Sequence, residues 1–433
     1  MNKTRKTMLT FLLLLLPYSI LAPVTNANQT SVDWWPMLHH DPAHNGYSTS
    51  TAPNTNQTLW TCKVVGSVGS SPAVVNDKVY LGIWDIGESG ESSMYCLDAE
   101  NGTQLWNYKI NGYASSPAVI GNKVCFEDSG DGMIYCLDAT TGKLVWNYKT
   151  GEHGVGSSPT IFDGKVFIGS NDNKVLCLNA ATGVLIWSYT TGFSVWGSPA
   201  VFDGKVYVGG SREFRAYCLD AFTGKFVWSF TTKGVVYSSI VADDKVFIGS
   251  NDKNIYCLDR NKGSLVWKFE TGSQVSSSPA VANGMVYVGS CDTKIYCLNV
   301  TTGKELWNYK TGDAVESSPT VADNKVYIGS GDNNIYCLNA LTGELIWTYK
   351  TGGTVNSSPV IANGVIYVRS ADGIIYAFGS GYSQTATQPP AAIPTETIYS
   401  IFPFIIATIA APTAVIILNK MRKKGKNDNQ QLN

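Results

Sequence analysis

Three of the four histidines fall in one stretch, WWPMLHHDPAHNGY (34–47), as His39, His40 and His44. Imidazoles grouped so closely are candidates for a metal site, since neutral imidazole is a preferred ligand of zinc, copper and nickel. Against this, adjacent histidines point apart on an extended chain, and no cysteine lies nearby. Pro36, Asp41, Pro42 and Gly46 suit a tight irregular path, so the stretch reads first as a structural lead-in and the histidines as secondary metal candidates. Ten cysteines form the other chemistry-bearing set, and no Ser/His/Asp or phosphate-loop arrangement offers a third.

The elements that must position these residues follow from a period. Trp60, Trp106, Trp146, Trp187, Trp228, Trp267, Trp307 and Trp347 are spaced by 46, 40, 41, 41, 39, 40 and 40 residues. In the unit WNYKTGEHGVGSSPTIFDGKVFIGSNDNKVLCLNAATGVLIW (146–187), the segments SSPTIF, KVFIGS, KVLCLN and VLIWSY have strand composition, with DGK, SNDN and ATG as turns. Four strands in about 40 residues make a propeller blade. The Ser-Ser-Pro phrase or its relic occurs eight times, at Pro72, Pro117, Pro159, Pro199, Ile240, Pro279, Pro319 and Pro359, and so does the YCLD strand or its variant, ending at Tyr376-Ala377-Phe378. No tryptophan strand follows that last copy, whereas the Trp60 strand has no blade before it. An all-β, eight-bladed propeller closed by the Trp60 strand is predicted, which pairs both chain ends and removes exposed edges.

CLDATTGKLVW (136–146) resembles the tryptophan-docking motif A-x-D-x-x-T-G-K-x-x-W of pyrroloquinoline-quinone (PQQ) repeat propellers, which include quinoprotein alcohol dehydrogenases and BamB-like assembly scaffolds. The resemblance covers roughly residues 33–379 and implies that the eight period tryptophans are structural docking residues. The lead-in is also similar to the W-P-x-x-x-x-D-x-x-x-x-G that precedes BamB-like blades. Cys96, Cys136, Cys177, Cys218, Cys257, Cys297 and Cys337 stand where the motif has Ala, as Ala377 does in the eighth copy. Equivalent sites in neighbouring blades lie too far apart for a disulfide, so these are expected to be small buried residues beside the indoles rather than a thiol array for metal. Cys62, Cys125 and Cys291 break the pattern, and whether they pair or stay free is left open.

Strand order places the loop before Ser-Ser and the turn between the second and third strands of every unit on one face, opposite the uniform D-A-T-T-G-K turns. Before the Ser-Ser pair stand Gly69, Ala114, Gly156, Trp196, Tyr237, Ser276, Glu316 and Asn356, a variable position among similar repeats. The largest insertions, GIWDIGESGESS (82–93, with Trp84) and SREFR (211–215, with Arg212 and Arg215), fall on the same face. Trp196, Tyr237, Ser276, Glu316, Asn356, Trp84, Arg212 and Arg215 are therefore the expected binding face, with no catalytic residue. Two functions compete on it. A PQQ and Ca²⁺-dependent alcohol or sugar dehydrogenase needs a tryptophan against PQQ, oxygen ligands for calcium and a carboxylate base, fragments of which Trp196, Glu316 and Asn356 imitate. The vicinal Cys-Cys pair of many such enzymes is absent from the sequence, and the loops are short. A non-catalytic binding or scaffold module for a surface protein, peptide or glycan needs no cofactor and is favoured.

The chain ends set the expected location. Lys3, Arg5 and Lys6, an apolar run and Thr25-Asn26-Ala27 predict a signal peptide over 1–27. A lead-in (28–58), the propeller (59–379) and a Pro/Ser/Thr-rich linker (380–398) follow, then a transmembrane helix (399–419), of which residues 401–418 carry no charge, and a basic cytoplasmic tail (420–433). The predicted location is a single-pass plasma-membrane protein with the propeller outside, in which sequons at Asn28, Asn56, Asn101, Asn299 and Asn356 are consistent with export. Setting aside the three basic residues before 28 and the five basic and one acidic after 398 leaves 24 Lys+Arg against 32 Asp+Glu, a balance that argues against a nucleic-acid partner.

Overall fold

The computed structural model describes residues 33–379, apart from 65, 67, 85–91, 152, 153 and 155. The expected signal segment, linker, transmembrane helix and tail lie outside the described residues, as do 28–32 of the lead-in. Among the described residues no helix is long and apolar enough to cross a membrane.

The repeats fold as eight sheets, blades 1 to 8 in the order of their Ser-Ser-Pro phrases, six of them four-stranded and those of blades 1 and 7 carrying a fifth short strand. In blade 3 the middle strands Lys165–Ser170 and Lys174–Asn179 are buried along nearly their whole length, because neighbouring blades cover both faces. The outer strand Leu185–Thr190 fully buries only Trp187. The inner strand is shorter than expected: of SSPTIF only Thr160–Phe162 pairs. Pro159 has no N–H to give a ladder, and the serines bond through their side chains instead. Ser157 Oγ accepts from Gly169 N at 2.7 Å, and Ser158 N donates to Ser198 Oγ of the next blade at 2.9 Å. The same serine link joins Ser71 to Ser116, Ser116 to Ser158, Ser278 to Ser318 and Ser318 to Ser358. Ser358 N donates to Ser71 Oγ at 3.0 Å, which joins the eighth blade to the first.

Closure is as predicted. Thr58–Lys63 pairs antiparallel with Ile374–Phe378, with Trp60 opposite Ala377, so the first tryptophan strand is the outer strand of blade 8. In the other seven blades the docking cysteine faces the tryptophan across the ladder, as Cys136 faces Trp146, and a bulge follows it. Trp106 shows why the motif needs its glycine. Its Nε1 donates to Ala139 O of blade 2 at 3.2 Å, and the ring lies over Gly142, where a Cβ would sit 2.7 Å from it. Gly142 also has φ +70°, which favours glycine. Seven of the eight indoles staple one blade to the next in this way, with a gross burial term of about 4–6 kcal/mol from 150–250 Å² at about 25 cal/mol/Å²; Trp347 is the exception, its Nε1 without a hydrogen-bond partner and its ring against Phe378 of blade 8. Trp60 does the same between blades 8 and 1, donating to Ala99 O at 2.9 Å and lying over Gly102.

Candidate functional site

The two mouths of the central channel are built differently. One is crossed by the lead-in. The carbonyls of Trp35, Pro36, Pro42, Ala43, Asn45 and Gly46 accept from the inner-strand N–H groups of Val74, Val119, Val201, Val241, Val281 and Val321, at 2.6–2.9 Å. Those six acceptors reach blades 1, 2, 4, 5, 6 and 7. Blade 3 is reached by His44, and blade 8 by Ser50 Oγ, which accepts from Gly364 N at 3.0 Å. Tyr47–Ser48 even adds a parallel strand to blade 7. This mouth is flanked by the uniform docking turns, since Ala99 N bonds Asp77 O and Ala139 N bonds Asn122 O.

The three histidines serve this path. They are not on extended chain, as the sequence suggested: His39, His40 and His44 have φ of 57°, 79° and 61°, the left-handed turns that aim successive carbonyls outward at successive blades. His40 turns away to Asp33 (Nε2 to Oδ1, 2.8 Å) and stands edge-on to Trp35. That hydrogen bond and charge outweigh burial and hold the Asp33 carboxyl well below its usual range. His39 and His44 are buried, with ring centroids 5.7 Å apart. The Thr160 hydroxyl donates to Pro199 O, so it accepts from His44 Nε2–H at 2.8 Å, which leaves Nδ1 as the unprotonated nitrogen. Burial pushes His39 down to about 4, and burial, with the neighbouring His39, holds His44 well below its ordinary value. Among the described residues no three His, Cys, Asp or Glu side chains gather as a metal would require.

The opposite mouth carries the variable residues. The turns between second and third strands join the loops before Ser-Ser there, as Thr191 N bonds Asn173 O and Ser211 N bonds Ser194 O. Trp196 is 37% exposed and leans from blade 4 across blade 3, where its Nε1 donates to Asn171 Oδ1 at 2.8 Å. A Cβ on Gly156 would sit 2.8 Å from that ring, so the small residue of blade 3 makes room for the large one of blade 4. Tyr237 is half-buried, with its hydroxyl 3.4 Å from Asn251 Nδ2. Ser276 Oγ lies 3.8 Å from Cys291 Sγ. Exposed Glu316 and Asn356 bond each other, Nδ2 to Oε2, at 2.9 Å. Trp84 is exposed and stands edge-on to Tyr113 at 6.2 Å. Arg212 and Arg215 are exposed on the blade 4 insertion.

Two features of this face escaped the sequence. The insertion carries Phe214, and the facing loop carries Phe193, both exposed. Glu213 ties the two segments together by accepting from Phe193 N at 2.7 Å and from the Tyr217 hydroxyl. Exposed Phe193, Trp196 and Phe214, with two arginines, thus concentrate on blade 4. The second feature is a column in the second strands that reads Gly82, Glu127, Gly169, Gly209, Gly249, Gly289, Gly329 and Arg369. A Cβ on Gly169 would strike Val195 at 2.5 Å, which explains the glycines. Glu127 and Arg369 replace them in blades 2 and 8 and are buried. The Arg369 Nη2 donates to Gly66 O at 3.1 Å, and burial pushes its guanidinium down to about 10. Burial and the adjacent Glu127 carboxylate push the Tyr113 phenol up, while Arg369 draws it down, so the three groups share one site beside the mouth. Aligning the repeats by column would have exposed both substitutions.

Among the described residues the rim gathers no set of oxygen ligands of the kind a calcium and quinone site uses. Calcium takes six to eight oxygens from several carboxylates, whereas Glu316 is exposed and bonded to Asn356. No cluster of three acidic, His or Cys side chains stands among the described residues. Trp196 is already held by Asn171 at its nitrogen and packed on Gly156.

The family model described as "Beta-alanine-activating enzyme, beta-propeller" matches residues 43–285, more than half of the chain. The one described as "Outer membrane protein assembly factor BamB" matches residues 292–384. No curated protein matches. Among solved structures, the quinohemoprotein alcohol dehydrogenase from Comamonas testosteroni is 17% identical with a TM-score of 0.69, over 85% of this chain and 83% of that one. BamB from Moraxella catarrhalis is 20% identical with a TM-score of 0.61, over 75% and 99%. The computationally designed Ika8 protein is 18% identical with a TM-score of 0.67, also over 75% and 99%. At such identities these structures show the fold alone. With eight docking tryptophans, a closed ring and two family models covering successive repeats, the chain belongs to the PQQ-like repeat β-propeller family.

Proposed function

We propose that this protein is a membrane-anchored, extracytoplasmic binding or scaffold module. Its open mouth takes a segment of a surface protein, a peptide or a glycan, and it does no chemistry on what it binds. The observation that carries this reading is the inequality of the two mouths. One is crossed by a lead-in bonded to all eight blades, while the other presents exposed Trp196, Phe193 and Phe214 with polar residues that differ from blade to blade. Aromatic side chains offer large, rigid contact area at little entropic cost, which suits recognition. Glu316, Asn356 and Asn171 are hydrogen-bonded to neighbours on the rim, an arrangement that orients polar contacts and supplies no nucleophile with its base.

The test sets binding against cofactor chemistry. The protein is presented to peptide and glycan arrays as wild type, Trp196→Ala, Phe214→Ala and Thr141→Ala, the last on the docking-turn face. Signals lost in the first two variants and kept in the third are expected. In parallel, PQQ with Ca²⁺ is titrated while tryptophan fluorescence is followed, and no saturable change is expected. Calcium-dependent quenching that disappears in Trp196→Ala would overturn the reading in favour of a quinoprotein dehydrogenase.

A further inference from the structure

We propose that Cys125 and Cys136 are joined by a disulfide across adjacent strands of blade 2. The two residues are direct partners in the antiparallel pairing of Lys123–Asp128 with Met133–Asp138. Opposed residues of such a pair have Cα atoms about 4.5–5.5 Å apart, within the span a disulfide requires. Their thiols face each other with the sulfurs 2.8 Å apart. Docking-column cysteines in other blades face an aromatic ring at this position, as Cys96 faces Tyr80 and Cys177 faces Phe167.

That contrast is the second argument. The column of Cys125 reads Tyr80, Phe167, Tyr207, Phe247, Tyr287, Tyr327 and Tyr367 in the other seven blades. There the ring packs on the tryptophan of its own blade, with centroids 5.9 Å apart for Tyr80 and Trp106 and 6.0 Å for Phe167 and Trp187. Cys125 gives up this packing, in the one blade where the replacement residue can bond covalently to the docking cysteine. The other two out-of-pattern cysteines, Cys62 in blade 8 and Cys291 in blade 6, are half-buried and have no such partner across the ladder.

Both thiols are wholly buried, and burial pushes the Cys125 thiol well above its ordinary value. Bond formation therefore belongs to an early stage, before neighbouring blades cover the hairpin, when a thiolate is accessible. One thiolate attacks a low-molecular-weight disulfide such as oxidised glutathione and releases one glutathione thiol. The second attacks the mixed disulfide and releases the other. Two protein thiols and one glutathione disulfide become one protein disulfide and two reduced glutathiones. Once the ring closes, the bond is shielded from reductant.

The whole chain, produced through its own export signal, is denatured in acid without reductant, alkylated and weighed. Of its ten cysteines, eight are expected to take the label, and all ten after reduction. A proteolytic digest of the unreduced protein is expected to hold a Cys125–Cys136 linked peptide. Cys125→Tyr, which restores the aromatic of the other blades, is expected to expose all nine remaining thiols without reduction. Ten labelled thiols before reduction, or a linkage between other cysteines, would overturn the proposal. Failure of the variant to fold leaves the wild-type count and the linked peptide to decide it.

Discussion

Replacing His39 with Asn removes a buried imidazole from the lead-in while keeping a residue that tolerates its left-handed backbone, φ 57°. His39 is held at about 4 by burial, against 6.5 for an imidazole in water. The folded state therefore favours the neutral ring. Its contribution to stability is complete above pH 6.5, falls as the unfolded chain takes up protons below that, and is exhausted near pH 4. With about 1.36 kcal/mol per pH unit, the full window amounts to about 3 kcal/mol, of which about 2.5 kcal/mol is lost by pH 4.5. His44 is shifted in the same direction by the same cause and adds to the loss. Asp41, whose carboxyl burial raises, has the opposite sign, but it is common to both proteins and cancels in the comparison.

Urea unfolding followed by tryptophan fluorescence at pH 7, 6, 5 and 4.5 measures this. His39→Asn is expected to be less stable at pH 7, because buried packing is lost. Between pH 7 and 4.5, however, it should lose about 2.5 kcal/mol less than the wild type. Parallel curves for the two proteins would refute the argument that a neutral imidazole is buried within the lead-in.

Trp60→Ala should destabilise the ring by about 3–5 kcal/mol in urea unfolding, since the indole joins the last blade to the first. Gly142→Ala and Gly121→Ala separate two reasons for glycine. Both have positive φ, but a Cβ at 142 would lie 2.7 Å from Trp106 while one at 121 meets nothing within 4 Å. The Gly121 variant should lose about 1 kcal/mol and the Gly142 variant clearly more, by the same unfolding assay. Trp196→Ala should cost about 1–3 kcal/mol, since the ring packs on Gly156 and bonds Asn171, leaving the ring of blades folded while it abolishes array binding.

The blades were legible because each repeat solves the same problem. An indole needs a glycine and a carbonyl on the next blade, and that need writes Trp and T-G into the chain about every 40 residues. Closure was legible for the same reason, since Trp60 had no other blade to complete. The lead-in was legible as an irregular structural path, but its bonds were not, because it holds the blades mainly through its own carbonyls, which leave no side-chain pattern. Glu127, Arg369 and Cys125 stand between these cases. Each is a visible departure from its column, yet what it departs toward depends on the partner across a strand or a blade. For Cys125 that partner is Cys136, and register supplies it. A repeat protein thus states its fold in the residues that recur, and its individual chemistry in those that do not. The exceptions in each column are accordingly where mutagenesis of this propeller should begin, ahead of the eight tryptophans, whose removal would report only on the ring.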